Sequence, residues 1–182
     1  MTSGVEPPPW LARYPDLVGK VAVICGDDAM TPGIVTALSA SGVAIALAAP
    51  SRATVEGAIE AADTHGVPIF GVTADPADPA TWARIGPHAE QRLGPIDIVV
   101  CLGADAAQDA VIAALLPDMA ARRRGVVVEV GERSTTSHDA SGVRRRTVSP
   151  TATTGVHDIA AAVALCASDV LLSPSAEIRL GG

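Results

Sequence analysis

The sequence predicts an α/β domain: a doubly wound, mostly parallel sheet of about seven strands. Three observations carry this. Short runs rich in Val and Ile alternate with segments of helical period along nearly the whole chain. Most of these runs are apolar throughout, as in strands buried on both faces. A helical segment separates most successive runs, and parallel strands need such crossovers. The 182 residues are 48% hydrophobic and 18% charged, enough for one sizeable core and too apolar for a disordered chain. No repeat or linker divides the sequence, so one domain is expected over 18–182, preceded by an extended N-terminal arm over 1–17.

The arm holds four prolines and no periodicity. Trp10, Leu11 and Tyr14 are its expected anchors. Val21–Cys25 is the first strand. Thr31 and Pro32 then suggest a hydroxyl N-cap followed by proline at the first helical position. That helix carries Ile34, Val35 and Leu38 inward and stops at Gly42. Val43–Ala49 is a strand, Ser51–His65 a helix, Val67–Thr73 a strand and Pro79–Leu93 a helix. Ile96–Leu102 and Val126–Val130 are strands on either side of a helix over Asp109–Arg124. A weaker strand follows at Val143–Val148, then a helix at His157–Asp169 and a last short strand at Glu177–Leu180. Glu129 lies inside the apolar run VVVEVG. In a central strand it needs a partner, and an arginine of the 144–146 run is the expected one.

The formal net charge of −7 argues against a nucleic-acid partner. No apolar run is long enough to span a membrane and no secretory signal is visible, so a cytoplasmic protein is expected. Two basic triplets, Arg122–Arg124 and Arg144–Arg146, stand out. They read as a solvated helix end and a strand edge, or as a clamp for an acidic partner. Cys25, Cys101 and Cys166 lack CxxC spacing and suggest neither disulfide nor metal site. Cys25 and Cys101 each end a predicted strand, as buried thiols or as a redox pair.

The candidate site is the stretch KVAVICGDDAMTPGIVTAL, Lys20–Leu38. A strand, a glycine turn and a helix is the opening of a dinucleotide-binding domain. The turn keeps Gly26 and then reads Asp27, Asp28, Ala29, Met30, Thr31 and Pro32 before Gly33. Two carboxylates would face a pyrophosphate, at about 4 kcal/mol per charge pair at ~4 Å before screening. Pro32 removes a donor N–H.

Several segments in order resemble the short-chain dehydrogenase/reductase family: LVGKVAVICG, TADPAD, GPIDIVVCLGA, LLPDMAARRRGVVVEVG, GVRRRTVSPTATT, HDIAAAVALCASD and AEIRLGG. The resemblance implies a Rossmann-like fold with NAD or NADP as cofactor. By resemblance Gly26, Gly33 and Asp75 would be cofactor-binding, although capping a turn is a simpler role for Asp75 and Asp78. The departures weigh more than the matches. The family's Asn-Asn-Ala-Gly turn is here Cys101, Leu102, Gly103 and Ala104. Its Tyr-x-x-x-Lys, which donates a proton to a carbonyl, is missing. The single tyrosine is Tyr14 and the single lysine Lys20. The link GERSTTSHDASG stands where the family places the helix carrying both residues. Ser134, Thr135, Thr136 and Ser137 lie near the position of its catalytic serine, beside His138 and Asp139, and read better as a solvated loop than as a triad.

The sequence therefore points to a shortened, degenerate relative: a non-catalytic subunit with no catalytic residue and no cofactor or metal of its own. The alternatives are an NAD(P)-dependent oxidoreductase with an altered site and a nucleotide or small-ligand binding module. Loss of a helix would uncover an apolar sheet face including Val126, Val128 and part of the 109–124 helix. Such a face predicts a homo-oligomer, or a hetero-oligomer with an intact reductase of the family.

Overall fold

The computed structural model describes residues 11–26, 29–102, 105–131, 142–151, 154–169 and 175–180. A 3₁₀ turn, Pro15–Leu17, leads into β1 (Val21–Cys25), α1 (Thr31–Ala40), β2 (Ala44–Ala49), α2 (Arg52–Asp63) and β3 (Ile69–Thr73). The chain continues with α3 (Pro79–Leu93), β4 (Ile98–Cys101), α4 (Asp105–Ala121), β5 (Val126–Val130), β6 (Arg144–Pro150), α5 (Val156–Ala167) and β7 (Ser175–Leu180). The seven strands form one sheet in the order β3-β2-β1-β4-β5-β6-β7. Every pairing is parallel, where the sequence suggested a mostly parallel sheet.

The alternation of side chains along each strand feeds two cores. Ala22 and Ile24 of β1 face the core made with α1, α2 and α5, while Val23 and Cys25 face the one made with α3 and α4. All five β1 residues are buried, which is why an unbroken apolar run suits this position. Leu17 is fully buried and Tyr14 donates its backbone N–H to Ser41 Oγ at 3.2 Å, so the residues before β1 dock beneath α1. Trp10 lies outside the described residues.

Caps set the helix starts. Ser51 Oγ accepts from Thr54 N at 3.1 Å at the head of α2, and Asp78 Oδ1 accepts from Ala80 N at 3.0 Å at the head of α3. The expected hydroxyl cap on α1 is not made. Thr31 is the first helical residue, Met30 precedes it without a side-chain cap, and Thr31 is fully buried against Gly26. α4 begins at Asp105, four residues ahead of the predicted Asp109.

Two expectations about the far half of the sheet are corrected. β6 is not an edge: β5 and β7 flank it, and its arginines are half-buried or buried. Nor is an apolar face uncovered at β5. Val126 and Val128 are 1% and 0% exposed and belong to the core with α5. On the opposite face Val127 is buried beside Glu129 and Thr147, which are themselves 2% and 7% exposed. Val18 and Val156 are the exposed large hydrophobics among the described residues, and they make no extended patch.

Candidate functional site

The strand order reverses direction between β1 and β4, and in a doubly wound sheet ligands enter beyond the C-terminal strand ends at that point. The structure places Gly26 there. Its N–H donates to Ala48 O at 2.8 Å. A Cβ at Gly26 would stand 2.7 Å from Thr31 Oγ1 and 2.9 Å from Leu47 Cδ1, so the tight turn itself requires glycine. Gly33 lies inside α1 and faces α5: a Cβ there would meet Val156 Cγ1 at 3.0 Å. Its role in this structure is close helix packing. Asp75, just past β3, is exposed; its Oδ1 accepts from Ala77 N at 2.9 Å and its carbonyl from Thr81 Oγ1 at 3.1 Å. The carboxylate holds its own turn, as an Asx turn does. Asp27, Asp28, Gly103, Ala104 and the hydroxyl-rich stretch 132–141, with Ser134 to Asp139, lie outside the described residues.

β1 and β4 place Cys25 directly opposite Cys101 in register. Neither thiol is in a disulfide, and both are fully buried. Burial, reinforced by Cys25 and then by Glu129, pushes the Cys101 thiol well above its ordinary pKa, so it stays protonated. The next residue in this row is Glu129, opposite Cys101 on β5. Arg145 Nη2 donates to Glu129 Oε1 at 3.0 Å, with side-chain exposures of 16% and 3%. This is the arginine partner the sequence required.

The sequence did not single out the end of β2. There the chain reads Pro50, Ser51, Arg52, with no acidic residue. This is the neighbourhood where a Rossmann-type domain uses an acidic residue for a ribose hydroxyl or an arginine for a 2′-phosphate. Arg52 is exposed and pairs with Glu56 at 2.7 Å.

The single tyrosine and lysine sit at the opposite edge of the sheet. Tyr14 precedes β1, and burial, then Asp16 and Cys166, raise its phenol pKa. Lys20 Nζ lies 3.3 Å from Asp169 Oδ2 and 4.0 Å from Asp16 Oδ2, just before the first residue of β1. The length of β1, roughly 16 Å at about 3.3 Å per residue, separates them from the crevice.

The fold and the crevice together define a Rossmann-type α/β domain. No family model matches the chain, and no curated protein matches it. Among solved structures it is similar to a short-chain dehydrogenase/reductase from Burkholderia xenovorans (17% identity, TM-score 0.75, covering 92% of this chain and 96% of the other). It is likewise similar to a short-chain type dehydrogenase/reductase from Mycobacterium marinum (15% identity, TM-score 0.75, 90% and 95% covered). A metagenomic short-chain oxidoreductase in complex with NADP has 18% identity and a TM-score of 0.73, with 92% and 99% covered. At such identities the likeness is one of fold: this chain has the architecture of the short-chain dehydrogenase/reductases. No helix among the described residues is long and apolar enough to cross a membrane.

Proposed function

We propose that this chain is a non-catalytic relative of the short-chain dehydrogenase/reductases that works through contact with another protein chain. One observation carries the reading. The chain has one tyrosine and one lysine, and both stand at the N-terminal edge of the sheet, with Lys20 tied to Asp16 and Asp169. Neither reaches a carbonyl held beyond the C-terminal strand ends, so the tyrosine–lysine proton relay of an active reductase is not assembled in this chain. The thiols of Cys25 and Cys101 and the Glu129–Arg145 pair offer no substitute, because both thiols are fully buried and Glu129 is already paired. The partner is a second copy or an intact reductase of the same type; of the two, only the reductase carries the missing tyrosine and lysine. No exposed apolar face among the described residues supports this partnership; the incomplete site does.

A second reading, a nucleotide-binding module without the chemistry, rests on Arg52 at the end of β2. If a dinucleotide binds here, that residue favours NADP over NAD.

Calorimetric titration of the purified chain with NADPH and NADH, alongside turnover of a panel of ketones and aldehydes, separates these readings. The expected result is no turnover and affinity no better than millimolar. Micromolar NADPH binding without turnover supports the binding module. Turnover by the chain alone overturns both and leaves an oxidoreductase with an altered site. Co-purification and light scattering then test the partner.

A further inference from the structure

The two arginine triplets, twenty residues apart in sequence, converge on one cavity at the N-terminal edge of the sheet. It has a volume of about 480 Å³ and is lined by Lys20, Asp97, Arg123, Arg124, Arg144 and Asp169, over a floor of Gly125, Val126 and Gly142. Four cations against two carboxylates leave this wall with a formal charge of +2, on a chain whose net charge is −7. The crevice at the strand switch point opens on the other edge, so the cavity plays no part in the function proposed above.

The two carboxylates hold cations in place around the cavity. Asp169 Oδ1 accepts from Arg144 Nη2 at 2.6 Å and its Oδ2 from Lys20 Nζ at 3.3 Å. Burial raises the Asp169 pKa, but Arg144 and Lys20 outweigh it, so the net shift is downward and the carboxylate stays charged. Asp97 Oδ1 pairs with Arg124 Nε at 3.0 Å, while the Arg124 side chain remains 68% exposed and open to a ligand. Arg123 has no side-chain partner among the described residues. It is also their single non-glycine residue at positive φ, 52°. It occupies the C′ position of α4: Arg123 N–H donates to Ala120 O at 2.9 Å and Arg124 N–H to Met119 O at 3.2 Å. That is the helix-ending motif in which glycine is the usual residue. Gly142 packs against it from the other side, where a Cβ would lie 3.1 Å from both Arg123 Cβ and Arg123 O. An arginine thus stands where the backbone favours glycine, at the mouth of a positively charged cavity.

We propose that this cavity binds a small molecule through a compact dianionic group, a phosphate monoester or a dicarboxylate, with Arg123 and Arg124 as its principal contacts. The volume matches a small metabolite. Guanidinium forks bind such oxyanions by paired, charge-assisted hydrogen bonds. Lys20 and Arg144, held by Asp169, supply the surrounding positive field.

The test titrates the full chain with inorganic phosphate, glycerol 3-phosphate and succinate by calorimetry. Chloride at matched ionic strength is the reference. Binding by either phosphate probe, weakening with added salt, assigns a phosphoryl ligand; binding by succinate alone assigns a dicarboxylate. Arg123→Gly removes the guanidinium at a backbone position that suits glycine, so it should melt no lower than the parent chain. It should bind about tenfold more weakly, since a charged hydrogen bond is lost. Arg124→Gln should weaken binding similarly, and Arg84→Gln, on α3 away from the cavity, should leave it unchanged. Heats no larger than those of chloride, or equal affinity in Arg123→Gly and the parent, would overturn the proposal.

Discussion

Glu129 shows how one residue in this fold depends on another. It stands in a central strand, 2% exposed, and Arg145 on the neighbouring strand holds it at 3.0 Å. A carboxylate left there without its arginine would keep most of its desolvation cost. Arg145→Ala should therefore destabilise by about 3–5 kcal/mol in urea denaturation. The double replacement Glu129→Leu with Arg145→Met removes both charges and keeps the volume, and should cost far less, within about 1–2 kcal/mol. If the single and double variants lose equal stability, the pair is not what holds this part of the sheet. The need for a partner, and the arginine run that supplies it, could be read from the sequence, because a charge inside VVVEV has few ways to be satisfied. The role of Asp75 was less legible: an acidic residue after a strand fits a ligand contact or a turn, and only the 2.9 Å bond from Ala77 N selects the turn.

At the level of elements, β1, α3 and β5 begin and end where the pattern of apolar residues, Pro79 and the flanking glycines place them. The starts of α1 and α4 were harder to read. Thr31 has the chemistry of a cap but is drawn inside by the close turn at Gly26. The Asp105–Gln108 stretch opens α4 without an apolar period to announce it. Two glycines in helices separate packing from propensity. Gly57 lies within α2, and a Cβ there would have nothing within 4 Å, whereas a Cβ on Gly33 in α1 would meet Val156 Cγ1 at 3.0 Å. Gly57→Ala should stabilise by roughly 0.5–1 kcal/mol through helix propensity. Gly33→Val adds bulk at the α1–α5 contact and should destabilise by about 1–3 kcal/mol. A Gly33→Val variant that melted no lower than the parent chain would mean that α1 and α5 do not pack this closely.

At the scale of the molecule, the two edges of the sheet carry different chemistry; the sequence marked the arginine triplets of one as a clamp for an acidic partner but did not bring them together. The C-terminal edge follows from Lys20–Leu38 because strand, turn and helix are contiguous. The ionic cavity joins residues 20, 97, 123, 124, 144 and 169, and no local pattern connects them. The pH response is likewise a property of the whole chain. Burial raises the pKa of three acids in different elements: Tyr14 before β1, Cys101 in β4 and Cys166 in α5. Cys166 moves from 9.0 to about 11. In each case the unfolded chain ionises first, so it binds fewer protons than the folded one as pH rises. Their contribution to stability is complete below the unfolded pKa and is lost as pH climbs through the folded value. For Cys166 that window runs from 9.0 to about 11. A gap of that size is worth about 2–3 kcal/mol at most. Asp169 acts in the opposite sense on the acid side: its lowered pKa gives stability present above 3.8 and lost as pH falls through the folded value, and its exposure keeps that limb small. Urea denaturation between pH 8 and 11 should show stability falling steadily. Cys166→Ala should lower stability at pH 8, by opening a cavity, yet flatten the fall between pH 9 and 11. The slope isolates ionisation from packing, because the cavity costs the same at every pH. An unchanged slope in Cys166→Ala would remove the buried thiol from the alkaline response and leave Tyr14 and Cys101 to account for it.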